Sequence, residues 1–394
     1  MSPSPNTNDP LLRFRAEFPI LEKNVYLISN SLGAMPRGTR DALNEYADLW
    51  ATRGVRAWEE TWWEMASQVG DEIAQLMNAL PRTISTHQNV TQCEAIVASC
   101  LNFSGKRNKV VYTDMNFPSV MYFWEAQQRA RGARVHMVKT DDGITINTQR
   151  LLDAIDEETL IVPISHVLFR SAYIKDVRAI VEKAHKVGAM VLLDCFHSVG
   201  IVPVDVQALN VDFATGGVLK WLCGGPGTAY LYVRPDHGKR LEPTLTGWAA
   251  HEKPFRFETG PTRYNEPPYR FMNGTPNVAA LYAARPGLRI IKEAGIDNIR
   301  AKSKRQTALL KQLAEDRGWK VNSPPDAEHR GGTITIEMPN SKEVCAELLK
   351  RDVVVDWRPN AGVRMAPHFY NTDEELHAAV GVVEEILAGM KVAR

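Results

Sequence analysis

Several features are scarce in this chain of 394 residues, and each scarcity removes a class of function. Cysteine is rare: Cys93, Cys100, Cys195, Cys223 and Cys345 are an odd set of five with no CxxC pair. Such a set does not make a disulfide framework, so free thiols in a reducing compartment, the cytoplasm, are expected. The ten histidines show neither HxH nor HxxxH spacing, so no metal is expected. Neither sign of charge is in excess, with 47 basic against 46 acidic residues. Without a basic stripe, neither nucleic acid nor an acidic membrane surface is an expected partner. No apolar run approaches the roughly 20 residues of a membrane span. The first ten residues, MSPSPNTNDP, are polar and lack the apolar core of an export signal, so export is not expected and disorder is. There is no internal repeat.

What is present is length enough for one large domain and a smaller one, and one stretch around which the rest is organised. Met190 to Leu193 is an apolar run that ends abruptly in a carboxylate, Asp194, as a short buried strand does. A carboxylate at a strand end lies where α/β folds bind ligands. His197 follows. After a second strand-like run comes Lys220, then a glycine-rich turn from Gly224 to Gly227 into Ala229–Val233. Alone, either Asp194 or Lys220 reads as a turn residue or a solvated charge. Together, in this order, they are the two fixed points of a pyridoxal phosphate (PLP) site: a lysine to hold the cofactor and a carboxylate to keep its ring nitrogen protonated.

Along the chain, Leu11–Leu21 suits a short helix and Val25–Ile28 a short strand, with a tight SNSLGAMP loop after it. Gly38–Ala51 and Glu59–Leu80 carry helical spacing, with Trp58, Trp62 and Trp63 clustered at the second as core or interface. Strands and helices then alternate. Strands are expected at Thr83–Thr86, Val110–Thr113, Ala133–Val138, Leu160–Ser165 and Val211–Thr215, and helices at Thr91–Leu101, Asn147–Ile155 and Val177–Val187. These units imply a mostly parallel sheet covered on both faces. The helix beginning at Thr91 presents an N-terminus of the kind that takes phosphate, or a simple cap. Helices from Val278 to Leu313, interrupted near Pro286, lead to a strand at Thr333–Glu337, a helix at Lys342–Lys350, a strand at Val353–Trp357 and a last helix. Thr372 and Glu375 have capping-box spacing at its start.

The chain resembles fold-type I PLP enzymes of the class V aminotransferase group, and within it the kynureninases, from about Tyr26 to the last helix. The resemblance rests on NSLG at Asn30–Gly33, NFPS at Asn116–Ser119, SHVLFRS at Ser165–Ser171, DCFHSVG at Asp194–Gly200 and TGW at Thr246–Trp248. It implies a large domain with a seven-stranded, mostly parallel sheet and a smaller α+β C-terminal domain. The divisions would be residues 1–56 for an N-terminal arm and helices, 57–285 for the PLP-binding domain and 286–394 for the small domain. It implies that Val90 and Thr91 hold the cofactor phosphate, that Phe117 stacks on the ring, and that Ser165, Asp194, His197, Lys220 and Trp248 contact the cofactor. His197 would hold Asp194 or the ring 3-oxygen. Gly274 and Thr275 would reach the phosphate of a second subunit, making a homodimer with a shared site. Arg364 would bind the substrate α-carboxylate as a fixed fork of donors, with Asn30 and Ser31 beside it. Arg170 suits either an anion contact or a structural salt bridge, and His368 lies near without an expected role.

The activity this implies is hydrolysis of the Cβ–Cγ bond of kynurenine or 3-hydroxykynurenine to an anthranilate and alanine. Lys220, Asp194 and His197 would carry the catalysis. Two positions depart from the pattern. Kynureninases carry Asp where Val120 stands and Tyr where Leu219 stands, and His166 or Tyr122 are the groups available to stand in. Other readings are a lyase or desulfurase, an aminotransferase or epimerase acting on another amino acid, and a non-enzymatic protein of the same fold. Against a desulfurase, no cysteine is expected near Arg364, and Phe117 replaces the usual histidine.

Overall fold

A computed structural model describes residues 9–392. Of the first ten residues, 1–8 lie outside that range, but Asp9 and Pro10 are held in place. Asp9 accepts the Leu11 N–H and pairs with Lys302 at 2.8 Å. In place of one helix over Leu11–Leu21 stand two 3₁₀ segments, Pro10–Glu17 and Pro19–Glu22. Pro19 has no N–H to continue the first.

The strand β1 (Val25–Tyr26) lies outside the main sheet. The next seven strands are β2 (Ile84–His87), β3 (Lys109–Thr113), β4 (Arg134–Val138), β5 (Thr159–Ser165), β6 (Met190–Asp194), β7 (Phe213–Gly217) and β8 (Ala229–Val233). They form one sheet in the order β2-β8-β7-β6-β5-β3-β4. From β4 to β7 all neighbours run parallel, and only β8 opposes its neighbours. Strands β6, β7 and β8 are almost wholly buried, which is why Met190–Leu193 and Ala229–Val233 are apolar runs with no alternation. The parallel strands β5 and β6 end side by side at the register partners Ser165 and Asp194, and Asp194 pairs in turn with Thr215 inside β7. That edge is the C-terminal rim where an α/β sheet takes its ligand.

A second hydrophobic core, containing Leu310, Ile334, Val344, Val363 and Val380, lies under a small antiparallel sheet. Its strands are β9 (Lys320–Val321), β10 (Ile334–Glu337), β12 (Asp356–Arg358) and β13 (Gly362–Met365), in the order β12-β13-β10-β9. The expected Val353–Trp357 strand is divided: β11 (Val353–Val354) pairs with β1, and β12 joins the small sheet. The helix Val278–Ala294 runs straight through Pro286, where an interruption was expected. Pro286 is buried among packed neighbours, which offsets its missing hydrogen bond. The helix ends instead at Gly295, whose φ of 79° suits glycine. The capping box forms as expected: Glu375 accepts the Thr372 N–H at 2.9 Å, and Thr372 Oγ1 accepts the Glu375 N–H at 3.2 Å.

Candidate active site

Asp194 is the last residue of β6 and is buried. One carboxylate oxygen accepts the Phe196 N–H at 2.9 Å; the other accepts the Ser165 hydroxyl at 3.3 Å, so it keeps free acceptor capacity. Burial raises the pKa of Asp194, and the Phe196 N–H, Lys220, Ser165 and Lys175 oppose that rise. Lys220 follows β7 on the loop that returns to β8. Its Nζ lies 2.7 Å from His197 Nε2, 4.4 Å from the centre of the Phe196 ring and 5.6 Å from that of Phe117. Removal from water lowers the amine to about 7, with Asp194 opposing and Arg364 and Arg358 assisting. His197 is buried and its pKa falls well below the usual value, through burial first and Lys220 second. The imidazole is therefore neutral, and Nε2 accepts from the lysine. His197 Nε2 thus contacts Lys220, and no hydrogen bond joins His197 to Asp194 among the described residues.

The loop that holds Lys220 has no room to shift. Gly33 donates its N–H to the Leu219 carbonyl at 2.8 Å, and a Cβ on Gly33 would lie 2.1 Å from the Lys220 carbonyl oxygen. This is the physical reason for a glycine at the end of NSLG. In the same loop Asn30 is fully buried and neither side-chain polar atom has a partner, while Ser31 is half-buried. Buried amides are rarely left so unless a ligand meets them.

Phe117 is 42% exposed and meets Phe169 edge to face, ring centres 5.3 Å apart. The expected helix at Thr91 spans Val90–Ser99 and is capped by Asn89, which accepts the Gln92 N–H at 3.0 Å. Val90 and Thr91 are its first two residues, so their N–H groups have no partner within the helix. Thr275 is exposed and shares a cavity with Gln88 and Gln92, which flank those two residues in the chain. Trp248, 41% exposed, packs on Trp63 and Phe255.

Arg364 on β13 is buried and occupied along one edge. Nε and Nη2 meet the two oxygens of Asp356, and Nη1 donates to the Phe169 carbonyl at 2.7 Å. His368 donates its Nε2–H to the Trp221 carbonyl, 2.8 Å away, so this nitrogen serves the Lys220 loop. Tyr122 is 69% exposed, and His166 is buried with its pKa lowered to about 4, by burial first. Arg170 makes no salt bridge among the described residues; its guanidinium lies 5.4 Å from the Phe169 ring centre. Val120 is buried in an apolar cluster with Trp124 and Cys93.

Three groups escaped the sequence reading. Phe196, between Asp194 and His197, forms one wall beside the amine. Lys175 is buried with its Nζ 3.2 Å from Thr113 Oγ1. Asp356 holds Arg364. Of these only Asp356 left a signal, the alternation of Asp356 and Arg358 in a strand-like run.

The class V aminotransferase family model matches residues 25–377. A kynureninase of Bacillus anthracis is 32% identical over 96% of this chain and 92% of its own length. An uncharacterized aminotransferase, YcbU of Bacillus subtilis, is 31% identical over 93% of this chain and 96% of its own. Among solved structures, the apo cysteine desulfurase of Thermococcus onnurineus superposes with a TM-score of 0.86 at 22% identity, covering 98% of this chain and all of that one. The cystine C-S lyase C-DES gives 0.84 at 18% identity over 93% of this chain and 98% of its own. The chain belongs to the class V aminotransferase family, enzymes of fold type I that work with pyridoxal 5'-phosphate.

Proposed function

We propose that this enzyme hydrolyses kynurenine or 3-hydroxykynurenine to an anthranilate and alanine. The observation that carries the reading is the grouping of Lys220 with Asp194 and Arg364, whose charges both act on its amine, beside Phe117 and Phe169, in a chain whose kynureninase relatives match it nearly end to end.

The residues fit the cofactor. Asp194 offers an unfilled acceptor at the sheet rim, Lys220 an amine that is neutral near physiological pH, and Val90 and Thr91 two free N–H groups at a helix start. When bound, the cofactor supplies an electron sink for charge developing at the substrate Cα. Asp194 would hold the ring nitrogen and keep it protonated. Ser165 fixes Asp194, and Phe117 would pack on the ring without titrating. Lys220 would hold the cofactor and, as a free amine, would take up and return the proton at the substrate Cα. His197 holds the Lys220 amine in place as an acceptor. Arg364 grips the α-carboxylate, with Asn30 and Ser31 beside it, and the Phe117–Phe169 corner suits an aryl group.

A homodimer completes the site. Trp248, Phe255 and Phe257 form an exposed aromatic patch, 41%, 56% and 75% exposed, continuous with the segment that bears Thr275. Exposed aromatic surface of this kind marks an interface, and Trp248 and Thr275 would approach the cofactor of the other subunit. With five free thiols and no helix among the described residues long and apolar enough to cross a membrane, we place the enzyme in the cytoplasm, in amino-acid breakdown.

A second reading rests on Leu219 and Val120, both apolar where kynureninases carry an acid or hydroxyl. It keeps the cofactor chemistry and gives the enzyme another amino acid, as an aminotransferase, lyase or epimerase. A persulfide-forming desulfurase fits poorly: burial raises all five thiols, Cys93 and Cys100 to about 12, so none is a ready nucleophile. The test is to incubate the PLP-loaded enzyme with kynurenine and 3-hydroxykynurenine. Anthranilate and alanine released without a keto acid support the hydrolase; turnover that needs a keto acid supports the aminotransferase.

A further inference from the structure

The small sheet turns one polar face toward the loop that carries Phe169 and Arg170. In β12 and β13, Asp356 and Arg364 are direct cross-strand partners, and Arg358 stands two residues from Asp356, on the same side. The alternate residues Val363 and Met365 face the second core. On the polar face, Asp356 takes two guanidinium groups at once. Both of its oxygens meet the Nε and Nη2 of Arg364, and one also meets Arg358 Nη2 at 2.8 Å. Thr335, the register partner of Arg364 on β10, donates its hydroxyl to the Arg170 carbonyl at 2.6 Å. That bond fixes the loop whose Phe169 carbonyl receives Arg364 Nη1.

We propose that Asp356 is a positioning residue for substrate binding, and that Arg358, Asp356 and Arg364 form a preset seat for a single carboxylate. The inference rests on the assignment of Arg364 to the α-carboxylate, but not on which amino acid is the substrate. A guanidinium presents two forks. Asp356 takes the Nε hydrogen and one on Nη2, and the Phe169 carbonyl takes one on Nη1, which leaves one hydrogen on each of Nη1 and Nη2 for an incoming carboxylate and removes rotation that would otherwise be lost on binding. Asp356 alone would cancel the charge of Arg364. Arg358 restores it, so the seat keeps one net positive charge with two cations and one anion. The bland alternative is a structural ion pair that holds the edge of the small sheet; it would affect stability and not selectivity.

The test uses the PLP-loaded enzyme and reads its near-visible absorption during titration with L-alanine and with ethylamine, which lacks the carboxylate. The wild type is expected to prefer alanine. Asp356→Ala and Arg358→Gln should each reduce the alanine-to-ethylamine preference, the former by about tenfold or more, as expected for a lost charge-assisted contact, with ethylamine affinity unchanged. Asp356→Glu should recover part of the preference. An unchanged preference in both variants, with only a lower Tm, overturns the proposal, as does a wild type that does not distinguish the two ligands. Failure to release anthranilate from kynurenine would remove the hydrolase reading and leave this one standing.

Discussion

Lys220 Nζ sits 2.7 Å from His197 Nε2, inside a cage closed by the Phe196 ring on one side. The amine has a neutral acceptor and an aromatic face, and Asp194, a buried carboxylate whose charge acts on it, is bonded to Ser165 and the Phe196 N–H. This arrangement keeps a lysine available as a free amine near neutral pH, and several consequences can be measured.

The first concerns pH. Burial lowers Lys220 from 10.5 to about 7, so the reactive neutral amine predominates above that value. The rate at which the cofactor-free enzyme captures PLP should rise through about pH 7 and then level off. An ordinary lysine would keep gaining up to about 10.4. Stopped-flow absorbance of reconstitution against pH distinguishes the two profiles.

Asp194→Asn tests the carboxylate. The amide keeps the shape and the Phe196 N–H contact but cannot hold a protonated ring nitrogen by charge. Turnover should fall by about 10²-fold or more, while PLP still binds. Cofactor content and kcat, measured on the same sample, separate this outcome from simple loss of the cofactor.

Gly33→Ala tests the fit of the NSLG loop. A Cβ would fall 2.1 Å from the Lys220 carbonyl oxygen, against backbone that cannot give way cheaply. The variant should lose about 1–3 kcal/mol of stability, the usual cost of overpacking, and should bind PLP more weakly because the strain falls on the lysine itself. Thermal melts with and without PLP read both effects.

How much of this was legible in the sequence depends on how local each feature is. The strand ending in Asp194, the strand Ala229–Val233 and the Thr372–Glu375 cap are set by neighbours in the chain, and they stand where the sequence put them. Lys220 and Asp194 were legible as a pair because their order and setting are local too. The Asp356–Arg364 pair and the Phe169 carbonyl on Arg364 were not, because they come from strand register and from a contact 195 residues apart. The contact of His197 with Lys220 was not legible for a similar reason: it joins side chains 23 residues apart in the chain. Pro286 shows the opposite failure, a local rule overruled by the packing of a buried helix.

Acid should destabilise the fold through its buried histidines. Burial lowers His87 and His368 to about 3 and His166 to about 4, against a usual 6.5. Between those values the unfolded chain binds protons that the folded protein does not, so stability falls as pH drops below about 6.5. Each histidine contributes a slope of about 1.4 kcal/mol per pH unit in that range. Tm should be flat just above neutrality and should fall steeply toward pH 5. A Tm that holds constant across that interval would contradict the burial of these rings.

The central claim is that Lys220 anchors pyridoxal phosphate in this site, and the most direct measurement is the absorption spectrum of the purified protein with added PLP, wild type beside Lys220→Ala. The account predicts a near-visible band in the wild type that borohydride reduction fixes to the peptide containing Lys220, and no such band in the variant. A wild-type protein with no band, or a variant that keeps the same band with the label on another lysine, would contradict it.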